Sequence, residues 1–268
     1  MGIFSAAFTK SALKKALKKN YITVNDAMAT TATFIHGGEC ICLDIPQENH
    51  PKKKFIFPLQ VLFEDDYLAV IHKPAGILVS GNRFKTIANA LSQNLQRSQL
   101  PGAAHPQPVH RLDYATTGIL LVGKTSNSIR ALNAMFEDKK VEKTYYAITI
   151  GNMADRGEIT SDIDEKESRS NYILCESVAS ERFGKLNLVH LEPETGRRHQ
   201  LRKHLASIGN PILGDKDYGI DPFILNGKGL YLHAYSLRFI HPLTNKEVCF
   251  KDELPQRFRN IFPPSNQR

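Results

Sequence analysis

Between Gly118 and Gly123 the chain carries Ile119-Leu120-Leu121-Val122, four apolar side chains in a row. A run this short, bounded by glycines and rich in branched residues, reads as a buried strand. His110-Arg111-Leu112-Asp113-Tyr114-Ala115-Thr116-Thr117 leads straight into it and places one carboxylate, Asp113, in a loop at the entrance of a buried element. Loops held on rigid scaffolds are where reactive groups are usually found. The letters from Gly118 to Thr125 also fit a phosphate-binding P-loop. That loop must stay flexible and present backbone N–H groups, which a buried Ile-Leu-Leu-Val strand does not do. His110 to Asp113 differs from a kinase H-R-D loop by the intervening leucine, and no glycine-rich loop or D-F-G accompanies it.

The surrounding elements mix types. Val61-Leu62-Phe63 and Leu68-Ala69-Val70-Ile71 read as a hairpin, closed by the turn Lys73-Pro74-Ala75-Gly76. Helical spacing predicts a helix over Ile87–Leu95 and another through Ile129, Leu132, Met135 and Phe136, with Ser126 as its cap. Strand-like alternation returns at Tyr145–Ile150 and Leu186–Leu191. Leu201, Leu205 and Ile208 give one apolar helical face, and Gly209 terminates it. No regular βαβα beat is present, so the expected class is α+β, with a largely antiparallel mixed sheet and flanking helices.

Two further windows carry candidate chemistry. In Lys143-Thr144-Tyr145-Tyr146-Ala147, a strand puts Tyr145 and Ala147 on one side and Tyr146 on the other. Gly196-Arg197-Arg198-His199-Gln200-Leu201-Arg202-Lys203-His204-Leu205 runs on to Gly214-Asp215-Lys216-Asp217-Tyr218-Gly219. His199 and His204 are five apart and flanked by cations, a poor pattern for metal ligation. Taken in order, the three windows resemble the HRLDxxTSG, KxYxAxVxG and GRTHQIRxHL motifs of the RluA-type RNA pseudouridine synthases. Flanking segments, Lys73-Pro74-Ala75-Gly76 among them, resemble the same family, and the likeness spans roughly residues 60–250. Thr117 replaces a serine of the pattern, His72 an asparagine and Arg198 a threonine.

That resemblance implies an enzyme that isomerises uridine to pseudouridine with no cofactor or metal. It makes Asp113 the nucleophile, attacking either the ribose or the base. Arg202 pairs with that carboxylate, orients it and keeps it ionised. Tyr145 stacks on the uracil and helps to move the carbon-5 proton. We expect His110, Arg111, Thr117 and Arg198 to contact RNA around the site.

Residues 1–50 differ in character. Lys10, Lys14, Lys15, Lys18 and Lys19 form a cationic face opposite Leu13, Ala16 and Leu17. A strand at Tyr21–Asn25, an Asn-Asp turn and a late strand at Cys40–Leu43 follow. The order resembles the S-four-like RNA-binding module of ribosomal proteins, with Glu39 where that module has aspartate. An amphipathic hairpin packed on the main domain is the alternative. Residues 51–58 read as a linker and 59–268 as the catalytic domain.

The chain of 268 residues has a formal net charge of +8, which suits a polyanionic partner. RNA is expected, ribosomal RNA ahead of transfer RNA. No apolar run reaches membrane-spanning length, no signal peptide is evident, and the four scattered cysteines read as reduced thiols. A cytoplasmic monomer is expected. The competing functions are a catalytically idle RNA-binding protein, which intact Asp113, Tyr145 and Arg202 argue against, and a metal-dependent nuclease, which would need more carboxylates near Asp113.

Overall fold

The computed structural model describes residues 10–45, 55–225, 227 and 229–263. The chain divides into two compact units, Met1–Lys53 and Lys54–Arg268. In the first, helix α1 (Lys10–Lys18) buries Ala16 against Ile22 and Ala29 and leaves Lys10, Lys14, Lys15 and Lys18 exposed, with Lys19 exposed just beyond. Strands β1 (Ile22–Val24), β2 (Ala27–Met28) and β3 (Ile41–Leu43) form a small antiparallel sheet in the order β2-β1-β3. Asn25 and Asp26 both take positive φ, as a tight two-residue hairpin turn requires. Cys40 and Cys42 are exposed free thiols with their Sγ atoms 4.0 Å apart.

The second unit is a ten-stranded sheet with flanking helices. Its strands are β4 (Gln60–Glu64), β5 (Leu68–Lys73), β6 (Ala103–Pro108), β7 (Thr117–Thr125), β8 (Glu142–Ile150), β9 (Arg156–Thr160), β10 (Arg169–Ser180), β11 (Gly184–Pro193), β12 (Leu232–Ile240) and β13 (Glu247–Lys251). They run in the order β4-β5-β7-β12-β8-β11-β10-β9, with β6 on β7 and β13 on β12. The β7–β12 pair is parallel and the other described pairs are antiparallel, so the α+β, largely antiparallel reading holds.

All nine residues of β7 are buried. Leu120 and Val122 pack with α2 (Ile87–Asn94) through Ile87 and Leu91, while Ile119 and Leu121 pack on the other face with Leu132 of α3 (Ser126–Glu137). Each such side chain contributes about 1.5–3 kcal/mol by leaving water. The strand therefore fixes both its ends: the Asp113 loop enters at one, and α3 leaves at the other. Thr125, one residue before the expected Ser126, caps α3. Its hydroxyl accepts the Ser128 N–H, and the Ser128 hydroxyl reciprocates. Helix α4 (Gln200–Ser207) buries Leu201 and Leu205 as expected, but Ile208 is exposed while Arg202 and His204 are buried. The helix thus turns a charged residue inward. A short α5 (Gln256–Arg259) buries Phe258. Among the described residues no helix is long and apolar enough to cross a membrane.

Candidate active site

Asp113 lies in the loop between β6 and β7, and its surroundings explain how so short a loop is held. The Lys73 ammonium, at 0% exposure, donates to the carbonyls of Thr116 (2.8 Å), Pro74 (3.0 Å) and Tyr114 (3.3 Å). The Gly76 N–H also donates to the Tyr114 carbonyl, and the Thr116 N–H closes a turn onto the Asp113 carbonyl. Gly118, at φ +115°, passes so close to the β12 backbone at Ala234 that a Cβ would collide with it. The loop is clamped through its main chain at Asp113 and over the three residues that follow it. Burial pulls the Lys73 ammonium down to about 8, against the opposing pull of the Asp113 charge.

The carboxylate opens into a cleft of about 610 Å³ whose lining includes Tyr145, His199, Arg202, Arg111 and Arg198. Asp113 is 19% exposed, with His199 Nε2 at 3.8 Å. His199 sits at the start of α4 in a left-handed conformation, φ +56°, and its Nδ1 lies 3.0 Å from the Tyr218 hydroxyl. Burial lowers the His199 pKa, the Asp113 charge opposes it, and Arg202 and Arg198 add to the lowering. His204 points elsewhere, into the Ser168 and Ser170 hydroxyls. The two histidines do not converge.

Arg202 corrects one expectation. It enters the cleft lining from α4 but makes no ion pair with Asp113. Its guanidinium takes Asp215 in a two-pronged contact, at 2.7 and 2.6 Å, and Asp217 at 2.7 Å, and lies 4.9 Å over the Tyr218 ring. Burial works against its charge, but Asp215 and Asp217, with Asp113 beyond, outweigh burial and hold the group above the ordinary arginine value. Asp113 reaches Arg202 only through space, and Arg202 is itself positioned by Asp215, a fully buried carboxylate.

Tyr145 projects from β8 into the cleft, and Tyr146 lies on the other side with Tyr235 and His190. Burial first, and the Asp113 charge second, raise the Tyr145 phenol well above its usual range. The ring stays neutral at ordinary pH, which favours stacking and hydrogen-bond donation over service as a phenolate base.

Four expected RNA contacts divide evenly. Arg111 and Arg198 are exposed at the cleft. His110 lines it, but its Nε2 accepts the Leu121 N–H at 2.9 Å and its ring stacks on Phe136 at 4.6 Å. Burial, with Lys143 adding to it, lowers its pKa to about 3, so it braces β7 as a neutral ring and brings no positive charge to RNA. Thr117 is buried, with its hydroxyl 2.9 Å from His233 Nδ1, and is not presented to the cleft.

This geometry sits inside a recognised family boundary. Residues 67–207 match the family model described as RNA pseudouridylate synthase, a span holding Asp113, Tyr145 and Arg202. The chain belongs to the RNA pseudouridylate synthase family. The family's members are isomerases. The chain is 33% identical over 254 residues to the ribosomal large subunit pseudouridine synthase D of Zymomonas mobilis, covering 84% of this chain and 78% of that one. It is 29% identical over 235 residues to the tRNA pseudouridine synthase C of Vibrio vulnificus, covering 76% and 94% respectively. Among solved structures it resembles human RNA pseudouridylate synthase domain containing 4, with a TM-score of 0.59 and 26% identity over 74% of this chain and 90% of that one.

Within this pseudouridylate synthase fold, four contributors were not legible in the sequence as parts of the site. Lys73 reads in the sequence as part of a turn, because lysines are almost never fully buried. His199 stands out in the sequence only as half of a poor metal-ligand pair with His204. Asp215 and Asp217 stand in the sequence as part of a run, and only the fold brings both onto one guanidinium.

Proposed function

We propose that this protein isomerises specific uridines to pseudouridine in structured RNA, with Asp113 as the nucleophile. The observation that carries the reading is the state of Asp113. Its carboxylate opens into a cleft on a clamped loop, while the two buried cations near it, Lys73 and Arg202, are bonded to other groups. It is reachable from the cleft and is taken up by neither cation. Attack at the ribose or the base lets the bond between uracil N1 and the ribose C1′ break. The base then turns, C5 bonds to C1′, the bond to Asp113 breaks and returns the free carboxylate, the C5 proton leaves, and N1 gains a proton. No atom is gained or lost overall. Tyr145 stacks on the uracil and donates a hydrogen bond while it turns, and Arg202 stabilises charge that develops beside Asp113. A paired uridine must first leave its helix, at a cost of a few kcal/mol, which phosphate contacts offset.

Large-subunit ribosomal RNA is the favoured substrate, supported by the likeness to synthase D across most of this chain, and transfer RNA is the second. Under this reading the lysines of α1 form an S-four-like RNA-binding face that adds phosphate contacts. Asp113→Asn should abolish pseudouridine formation, to below a few per cent of wild type, with folding and RNA affinity kept. Mapping of pseudouridine in cellular RNA with each form checks this, and a substantial residual rate would refute the nucleophile. Lys14→Glu with Lys18→Glu should raise the apparent KM with little effect on kcat. The slope of log affinity against log salt should fall by about 0.7–0.9 per lost contact. An unchanged slope would leave α1 as packing alone.

A further inference from the structure

The wall of the cleft formed by α3 and β8 holds an arrangement that the reaction does not use. Lys143 lies two residues before Tyr145 on β8, so both side chains leave the same face of the strand. Both line the cleft, as do Arg111 and Lys139. Lys139 stands just past the end of α3, in a left-handed conformation with φ +57° that turns the chain back toward β8. Lys143 is only partly exposed, yet its ammonium has no carboxylate, carbonyl or hydroxyl partner among the described residues. Glu137 lines the same cleft and forms an ion pair with neither lysine. The adjacent Lys140, by contrast, is satisfied by Asp138 at 2.8 Å.

A partly buried cation with a second cation for its neighbour is an unfavourable arrangement unless an anion completes it. We propose that Lys143 and Lys139 form a phosphodiester-binding subsite that grips the RNA backbone next to the nucleotide lying against Tyr145. Tyr145 and Lys143 are separated by roughly 6.7 Å of strand. A nucleotide with its base on Tyr145 therefore brings a neighbouring phosphodiester within reach of a lysine side chain. The neutral, stacked pair of His110 and Phe136 forms the adjacent wall and offers no competing charge. Burial, and the Lys139 charge after it, lower the Lys143 pKa, as expected of a site built to receive an anion. The inference rests on the uridine-modifying reading in one respect only, that RNA enters this cleft.

The test uses the full chain and a fluorescent oligouridylate, with affinity measured from low to moderate salt. Lys143→Met should weaken binding roughly tenfold and flatten the salt slope by about 0.7, the value for one contact on a single strand. Lys143→Arg should keep most of both. Lys140→Gln removes the same charge three residues away and should change neither. Lys143→Met should also melt at a higher temperature than wild type, because it removes an unpaired, partly buried cation. Equal salt slopes for wild type and Lys143→Met, or an equal loss in Lys140→Gln, would overturn the subsite. Wild-type protein that shows the slope difference but forms no pseudouridine in any cellular RNA would overturn the proposed reaction and leave the subsite standing.

Discussion

Two buried cations flank Asp113, and the fold treats them in opposite ways. Lys73 approaches from the end of β5 and meets only neutral carbonyls, those of Pro74, Tyr114 and Thr116. Arg202 approaches from α4 and meets two carboxylates, Asp215 and Asp217. Burial opposes the charge on both. Without a contacting anion Lys73 falls to about 8, and with two Arg202 rises. The lesson is that depth alone does not set a buried group's charge; the partner does. The division also suits two tasks. Carbonyl partners let Lys73 hold a backbone loop, and carboxylate partners let Arg202 present a fixed, permanent charge.

Breaking the Arg202 side should cost the most. Arg202→Met leaves Asp215 buried without its counter-ion and should destabilise the protein by about 3–5 kcal/mol, measured by urea unfolding. Adding Asp215→Asn should recover part of that loss. A loss below about 1 kcal/mol would mean that the backbone N–H groups of Asp217 and Tyr218, which also serve Asp215, suffice for it.

Breaking the Lys73 side should cost less stability and much activity. Lys73→Met takes the lysine donor from the Pro74 and Thr116 carbonyls, while the Tyr114 carbonyl keeps the Gly76 N–H, for about 1–3 kcal/mol, partly offset by removal of a buried charge. Activity should fall about a hundredfold, because a small displacement of the Asp113 loop spoils attack geometry. The pH dependence sharpens the contrast. Between about 8 and the unfolded lysine value near 10.4, the unfolded chain binds a proton that folded Lys73 has lost. Wild-type stability should therefore gain over that window relative to Lys73→Met. Parallel stability curves would show that Lys73 keeps its proton in the fold.

These two residues also show what the sequence could reveal. The apolar run of β7, the hairpin of β4 and β5 and the loop position of Asp113 were legible, because short apolar runs and turn residues report local structure directly. Lys73 was not, since lysines are almost never fully buried and pattern reading places them at the surface. Arg202 was placed in the site by resemblance, but its partners Asp215 and Asp217 lie past the helix end, a tertiary fact with no local signal. The long strand β10 also escaped, because its exposed and half-buried residues give no clean alternation. The Ser126 cap missed by one residue because Thr125 and Ser126 carry equivalent hydroxyls.

The effect of His110 shows only in acid. Its folded pKa of about 3 lies below the unfolded value near 6.5, so the unfolded chain takes up a proton that the fold refuses. That contribution to stability is complete above 6.5 and is lost as pH falls toward 3. His110→Gln should therefore show a flatter decline in melting temperature across this window. An identical decline would assign acid sensitivity to other groups, such as buried His233, which burial lowers to about 4.

The burial of β7 bears finally on how the protein fails. Amides of a strand shielded along its whole length exchange with solvent only when the molecule opens globally. The Asp113 loop is anchored to that strand at Thr117 and Gly118, so no small local opening releases it. Catalytic lifetime on heating should then match the lifetime of the fold itself, with no earlier step in which the site decays while the rest of the domain survives.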